Sequence, residues 1–156
     1  MLLLGHIGLT ALASSMFYLP ILGGALGVLL PDIIDKGIFT LGLAPCSRFI
    51  AHSIFFAPLV GIVTFAATRN KKFALAVALG AFLHLLEDMN GDVPFLYPIK
   101  DYSFFAACGQ IKILFTPYVI ITETIGGLIL ILMSVFNSQL ARLRRLFWQV
   151  IGRIGR

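Results

Sequence analysis

The sequence predicts an all-α integral membrane protein, a helical bundle of about five apolar segments followed by a C-terminal amphipathic surface helix. Three observations carry this. Of the 156 residues, 59% are hydrophobic and 12% are charged, where a soluble domain carries about 25% charged residues. The apolar residues form runs sufficient for roughly five crossings at about 20 residues each, with no room for a separate soluble domain. The histidines and carboxylates gather at the ends of those runs instead of scattering along them.

The first segment covers 2–18 and stops at Tyr18-Leu19-Pro20. Its start, MLLLGHIGLT, lacks the basic region of a signal peptide and reads as a mature helix. The second, 20–34, is short, and Gly23 and Gly27 give it the small-xxx-small spacing that lets helices approach closely. A linker, KGIFTLGLAPCSR, leads to the third segment at 49–68, closed by the basic turn Arg69-Asn70-Lys71-Lys72. The fourth runs 73–88. The stretch 89–117 holds Gly91, Pro94, Pro98 and Pro117 and reads as re-entrant or interfacial, or as a lid with Asp92 toward the site and Asp101 toward water. The fifth segment is 118–136.

These segments make a transmembrane bundle over 1–137 with a basic amphipathic tail at 138–156. In the tail, Leu143, Phe147, Val150 and Ile154 follow helical spacing against Arg142, Arg145, Gln149 and Arg153, the pattern of a helix lying on an anionic membrane surface. The net charge of +5 therefore points to anionic lipid as partner. No basic patch interleaved with aromatics suits nucleic acid. Cys46 and Cys108 both fall on the outer side on the topology derived below, where a disulfide could form, but they read rather as two small, half-buried apolar residues.

The basic turn and the tail lie two spans apart and hold eight of the twelve basic residues, so the positive-inside rule makes both cytoplasmic. The protein is then a multi-pass cell-membrane protein with a cytoplasmic C-terminus. Every histidine and every carboxylate falls at the outer membrane end, including Glu123 near the start of segment five.

Ionisable groups are costly in hydrocarbon, so their convergence marks a functional site. His84-Leu85-Leu86-Glu87-Asp88 places His84 and Asp88 four apart on one helix face, with no lysine or arginine nearby in sequence; a helix-end ion pair is the alternative. Leu30-Pro31-Asp32-Ile33-Ile34-Asp35-Lys36 sets two carboxylates on one side of a turn, with Asp35 able to pair with Lys36. Arg48 and His52 lie four apart at the start of segment three. Arginine's fork matches phosphate oxygens, while a snorkelling arginine and a core histidine are the plainer reading. His6 joins the set by its matched depth.

In order, LPDIIDK, R-x-x-x-HS and HLLED followed by a proline-rich turn resemble the membrane-bound, predicted metal-dependent hydrolases, above all the small archaeal members, a family that includes a LexA-regulated bacterial inner-membrane protein. The resemblance runs from about His6 to Tyr97. It implies metal ligation by His6, Asp32, Asp35, His52, His84 and Asp88. Ser47 and Ala51 stand where many bacterial members carry histidine and threonine.

Residues and resemblance together give an expectation: a metal-dependent hydrolase acting on an ester or phosphoester, in a lipid or lipid-linked substrate. His6, Asp32, His52, His84 and Asp88 would be the metal ligands. Glu87 or Asp35 would act as general base or as an orienter behind the ligands, and Arg48 would hold a phosphate or carboxylate. Zinc fits this donor set best, with manganese and magnesium also admissible. The alternatives are a cation or proton transporter and a non-catalytic membrane scaffold. Asp92, Asp101 and Glu123 stay unassigned, and the oligomeric state stays open.

Overall fold

The computed structural model describes residues 3–89, 92–107 and 116–154. Among them are six α-helices, two short 3-10 segments and no strand: α1 (Leu3–Met16), α2 (Ile21–Thr40), α3 (Phe56–Thr68), α4 (Lys71–Glu87), α5 (Pro117–Val135) and α6 (Asn137–Ile154).

Local chemistry sets the boundaries. The Asn70 side chain caps α4 by accepting from Phe73 N–H. Thr116 caps α5 in the same way, with Pro117 at the first helical position. Two expected boundaries move. The second segment does not stop at 34, because α2 continues through Pro31 to Thr40. Lys36 pairs with Asp32 one turn earlier and the Thr40 hydroxyl donates to the Lys36 carbonyl, so side-chain bonds accompany the helix past the proline. The third segment starts at Phe56 and not at 49. Pro58 then sits in the first turn of α3, where its missing N–H costs nothing; a start at 49 would have buried it in the helix interior.

The distribution of polarity is inverted relative to a soluble protein. Buried polar groups include His6, Thr10, Ser14, Asp35, His52, Ser53, His84 and Asp88, while Leu22, Leu26, Leu59, Ile62, Leu75, Ile120 and Ile131 point outward. Polar inside and apolar outside is the arrangement a bilayer favours. Among the described residues only α5 is long and apolar enough to pass for a span on length and composition; Leu3–Met16 and Phe56–Thr68 are apolar but shorter.

Glycines bring the helices together. A Cβ on Gly27 would run into the Val77 carbonyl, and one on Gly80 into the backbone of Gly24 and Val28. The small-residue spacing seen at Gly23 and Gly27 is thus the α2–α4 contact. Gly8 and Gly126 play the same part between α1 and α5.

Successive helices reverse direction, which defines two ends. One end holds the start of α1, the ends of α2 and α4, and the start of α5, whose Glu123 accepts from the Leu4 and Gly5 N–H groups. Those are unpaired first-turn donors of α1, and a carboxylate suits them. The opposite end holds the basic turn and α6. There Arg144 Nη1 donates to the Ser15 carbonyl at 3.0 Å, and Trp148 Nε1 to the Met16 carbonyl at 2.8 Å. The Arg144 guanidinium also lies 3.9 Å from the Tyr18 ring centre. The tail is therefore helical, as its periodicity predicts, and it is tied to the last turn of α1.

Candidate metal centre

Four elements deliver the site. α1 presents His6, α2 presents Asp32 and Asp35, the 3-10 turn Ile50–His52 presents His52, and the end of α4 presents His84, Glu87 and Asp88. The five expected ligands come together as two overlapping groups, His6–Asp32–His84 and His52–His84–Asp88; within each, the possible ligand atoms lie within 4.8 Å of one another.

The imidazoles are aimed from behind. Glu87 Oε2 meets His6 Nδ1 at 2.5 Å, and Asp35 Oδ2 meets His52 Nδ1 at 2.7 Å. An ionised carboxylate only accepts, so each Nδ1 carries the hydrogen, and in the neutral ring Nε2 is left with its lone pair. His6 Nε2 has no hydrogen-bond partner and lies 3.6 Å from Asp88 Oδ1. His52 Nε2 lies 3.1 Å from His84 Nε2 and 3.6 Å from Asp32 Oδ1. His84 Nε2 is 3.9 Å from both Asp32 and Asp88.

This geometry fits a divalent ion. Two nitrogens bound at about 2.0–2.1 Å on a tetrahedral ion stand roughly 3.3 Å apart, close to the His52–His84 separation. Carboxylates behind ligand histidines are the usual outer layer of such a centre. Among the described residues the site gathers the carboxylates of Asp32, Asp35, Glu87 and Asp88 with the cations Lys36 and Arg48.

Asp35 does more than aim His52. Its carboxylate, fully buried, also accepts from the N–H groups of Phe49, Ala51 and His52. It folds the 49–52 turn onto the end of α2. Asp35 and Glu87 are therefore both engaged by imidazole Nδ1 atoms. Burial, the largest influence on His52, lowers its pKa, but the hydrogen bonds and charges of Asp32 and Asp35 together outweigh it. His52 precedes α3, outside the long helices, and its pKa lies above the ordinary histidine value.

Several sequence expectations are corrected here. Lys36 pairs with Asp32 at 2.6 Å and not with Asp35; the i,i+4 spacing was the available signal. The HLLED segment is not without a cation, because Arg48 Nη2 reaches Asp88 Oδ2 at 2.6 Å from forty residues away. Glu123, unassigned from sequence, caps α1. Asp92 and Asp101 are both exposed. Cys46 is buried and disulfide-bonded, contrary to its expected role as a simple apolar residue; Cys108 lies outside the described residues.

The described part of the 89–117 stretch contains turns and one short 3-10 segment, Ser103–Ala107, and no α-helix. It is joined to the site loop by the Ile54 N–H to Phe95 carbonyl bond, and Tyr97 and Phe105 pack on Phe49 beside Arg48.

Comparison with curated proteins and with solved structures gave no match. A family model did match, and nearly end to end, over residues 1–151. A membrane location agrees with the inverted polarity of the fold. On that coverage the chain belongs to the YdjM inner membrane protein family.

Proposed function

We propose that this chain is a multi-pass membrane hydrolase that uses a divalent metal at one end of its bundle to cleave an ester or phosphoester in a lipid or lipid-linked substrate. The observation that carries the reading is the pair of imidazoles, His6 and His52, whose Nε2 atoms are turned inward by Glu87 and Asp35 onto His84, Asp32 and Asp88. Mixed nitrogen and oxygen donors suit zinc best, and manganese or magnesium next. Such an ion, when bound, lowers the pKa of a coordinated water to about 7 and so supplies hydroxide at neutral pH. The chain's own part is to fix the two tautomers and to exclude bulk water by burial.

The site end is read as extracytoplasmic. A disulfide at Cys46 suits an oxidising compartment, and the basic turn and α6 at the opposite end suit the cytoplasmic face. Helices α1 to α5 then each cross the membrane, the short ones with local thinning of the bilayer. α6 lies against anionic headgroups.

Protein purified in detergent without chelators is expected to carry near-stoichiometric zinc or manganese by elemental analysis. Folded His84→Ala and Asp88→Ala proteins are expected to lose it. A well-folded wild type that takes up no metal, even after its addition, would remove the hydrolase reading. The pH dependence has a definite sign. Ligation needs neutral His52, whose proton is held above the ordinary value of about 6.5, so metal affinity falls as pH drops through that window. In the metal-free protein the imidazolium's contribution to stability runs the other way. It is full below about 6.5 and lost as pH rises through the higher folded-state pKa.

A second reading, a cation or proton path, is favoured by one observation. Thr10 and Ser14 continue the His6 face of α1 at four-residue intervals, fully buried, and their hydroxyl oxygens have no hydrogen-bond partner. Proton flux into proteoliposomes above that of empty vesicles, abolished by Thr10→Val, would move this reading ahead; no excess flux would dismiss it.

A further inference from the structure

We infer that the rim of this site binds a phosphate group, with Lys36 and Arg48 as its two cationic contacts, so that the substrate is a phosphoester and not a neutral carboxylic ester. This deepens the metal-centre reading and rests on it.

The site is layered by charge. The imidazoles of His6, His52 and His84 are at most 3% exposed. Asp88 and Asp32 come next, at 4% and 24%. Arg48 and Lys36 form the outermost layer, at 32% and 43%. Each cation is held on a carboxylate that also faces His84 Nε2, so both flank the point where ligand atoms converge.

Each also has donors to spare. Lysine has three N–H donors and arginine five, whereas the ion pairs use one nitrogen of each. Once an ion draws on the charge of Asp32 and Asp88, both cations lose part of their neutralisation at the apolar edge of a bundle, where unpaired charge is costly. A neutral glyceride ester brings nothing to offset that. A phosphate brings anionic oxygens that match a guanidinium fork and an ammonium at once. Phe49, stacked with Tyr97 and Phe105 next to Arg48, walls one side of this rim. Such a group can arrive on a lipid headgroup or on a water-soluble phosphoester.

The test is calorimetric titration of zinc-loaded protein in detergent with inorganic phosphate, with dihexanoyl phosphatidic acid, and with dihexanoylglycerol as the uncharged control. Lys36→Gln, Arg48→Gln and the charge-keeping Lys36→Arg and Arg48→Lys are run beside the wild type, each assayed for metal and for melting. Binding of a phosphate probe but not of the glyceride is expected. It should weaken roughly tenfold to a hundredfold in each glutamine variant with metal content unchanged, and recover in part when charge is kept. Binding of phosphatidic acid alone assigns a lipid source; equal binding of inorganic phosphate assigns a soluble one. The proposal is overturned if the loaded wild type binds neither phosphate, if it binds the glyceride as well, if the variants bind as the wild type does, or if the glutamine variants simply lose zinc. In all those cases the metal reading stands. A wild type that takes up no zinc overturns both.

Discussion

Asp35→Ala is expected to destabilise the protein by roughly 3–5 kcal/mol, the range for removing one partner of a buried charged pair. Four donors converge on this carboxylate: the N–H groups of Phe49, Ala51 and His52, and His52 Nδ1. Alanine leaves all of them buried without an acceptor. The loss should have two further signs. The 41–52 loop becomes more open to protease, because three of its N–H groups lose the acceptor that folds them onto α2. Metal content also falls, because His52 loses the group that fixes its tautomer. Asp35→Asn keeps one acceptor oxygen and should lose less. Denaturant unfolding in mixed micelles measures the effect, and a cost under about 1 kcal/mol would show that Asp35 does not organise the loop.

The second large effect is expected at Gly80. Its missing Cβ is the space taken by the backbone of Gly24 and Val28, and backbone cannot swing aside as a side chain can. Gly80→Ala should push α2 from α4 at a cost of about 1–3 kcal/mol or more. Because these two helices carry Asp32, Asp35, His84 and Asp88, metal content should fall with stability. Gly37→Ala is the control of opposite sign. Gly37 lies inside α2, and a Cβ added there would meet nothing within 4 Å, so alanine should stabilise by about 0.5–1 kcal/mol through helix propensity alone. If both substitutions behave alike, close packing of α2 on α4 is not what Gly80 provides.

The parts of the fold legible in the sequence are those written in local periodicity. The apolar runs, the basic turn, the start of α5 to within one residue of 118 and the close approach at Gly23 and Gly27 all follow from spacing along one helix. So does the membership of the site: costly groups at matched depth in separate segments have few places to go but toward one another. What spacing does not encode is the partner. Glu87 behind His6, Asp35 behind His52 and Arg48 on Asp88 join residues 81, 17 and 40 apart in sequence. Only the assembled bundle brings them together. The end of α2 and the start of α3 escape local reading for a related reason. The apolar runs 20–34 and 49–68 give no sign that α2 continues to Thr40 or that a turn at 49–52 precedes α3. Lys36 is the exception, since its pairing with Asp32 is within reach of the helical repeat.

α1 is held at both ends by one continuous arm of the chain. Glu123 takes its first N–H groups, and Arg144 and Trp148 take its last carbonyls. The stretch of α5 and α6 between them thus works as a length gauge for α1. α1 spans about 21 Å at 1.5 Å per residue, and the gauge fixes how far it can slide along the bundle axis. His6 rides on that helix, so its depth relative to His84 and Asp88 is set from more than a hundred residues away. A one-residue insertion in α5 after Glu123 would leave every ligand in place in the sequence and still put the first of them out of register.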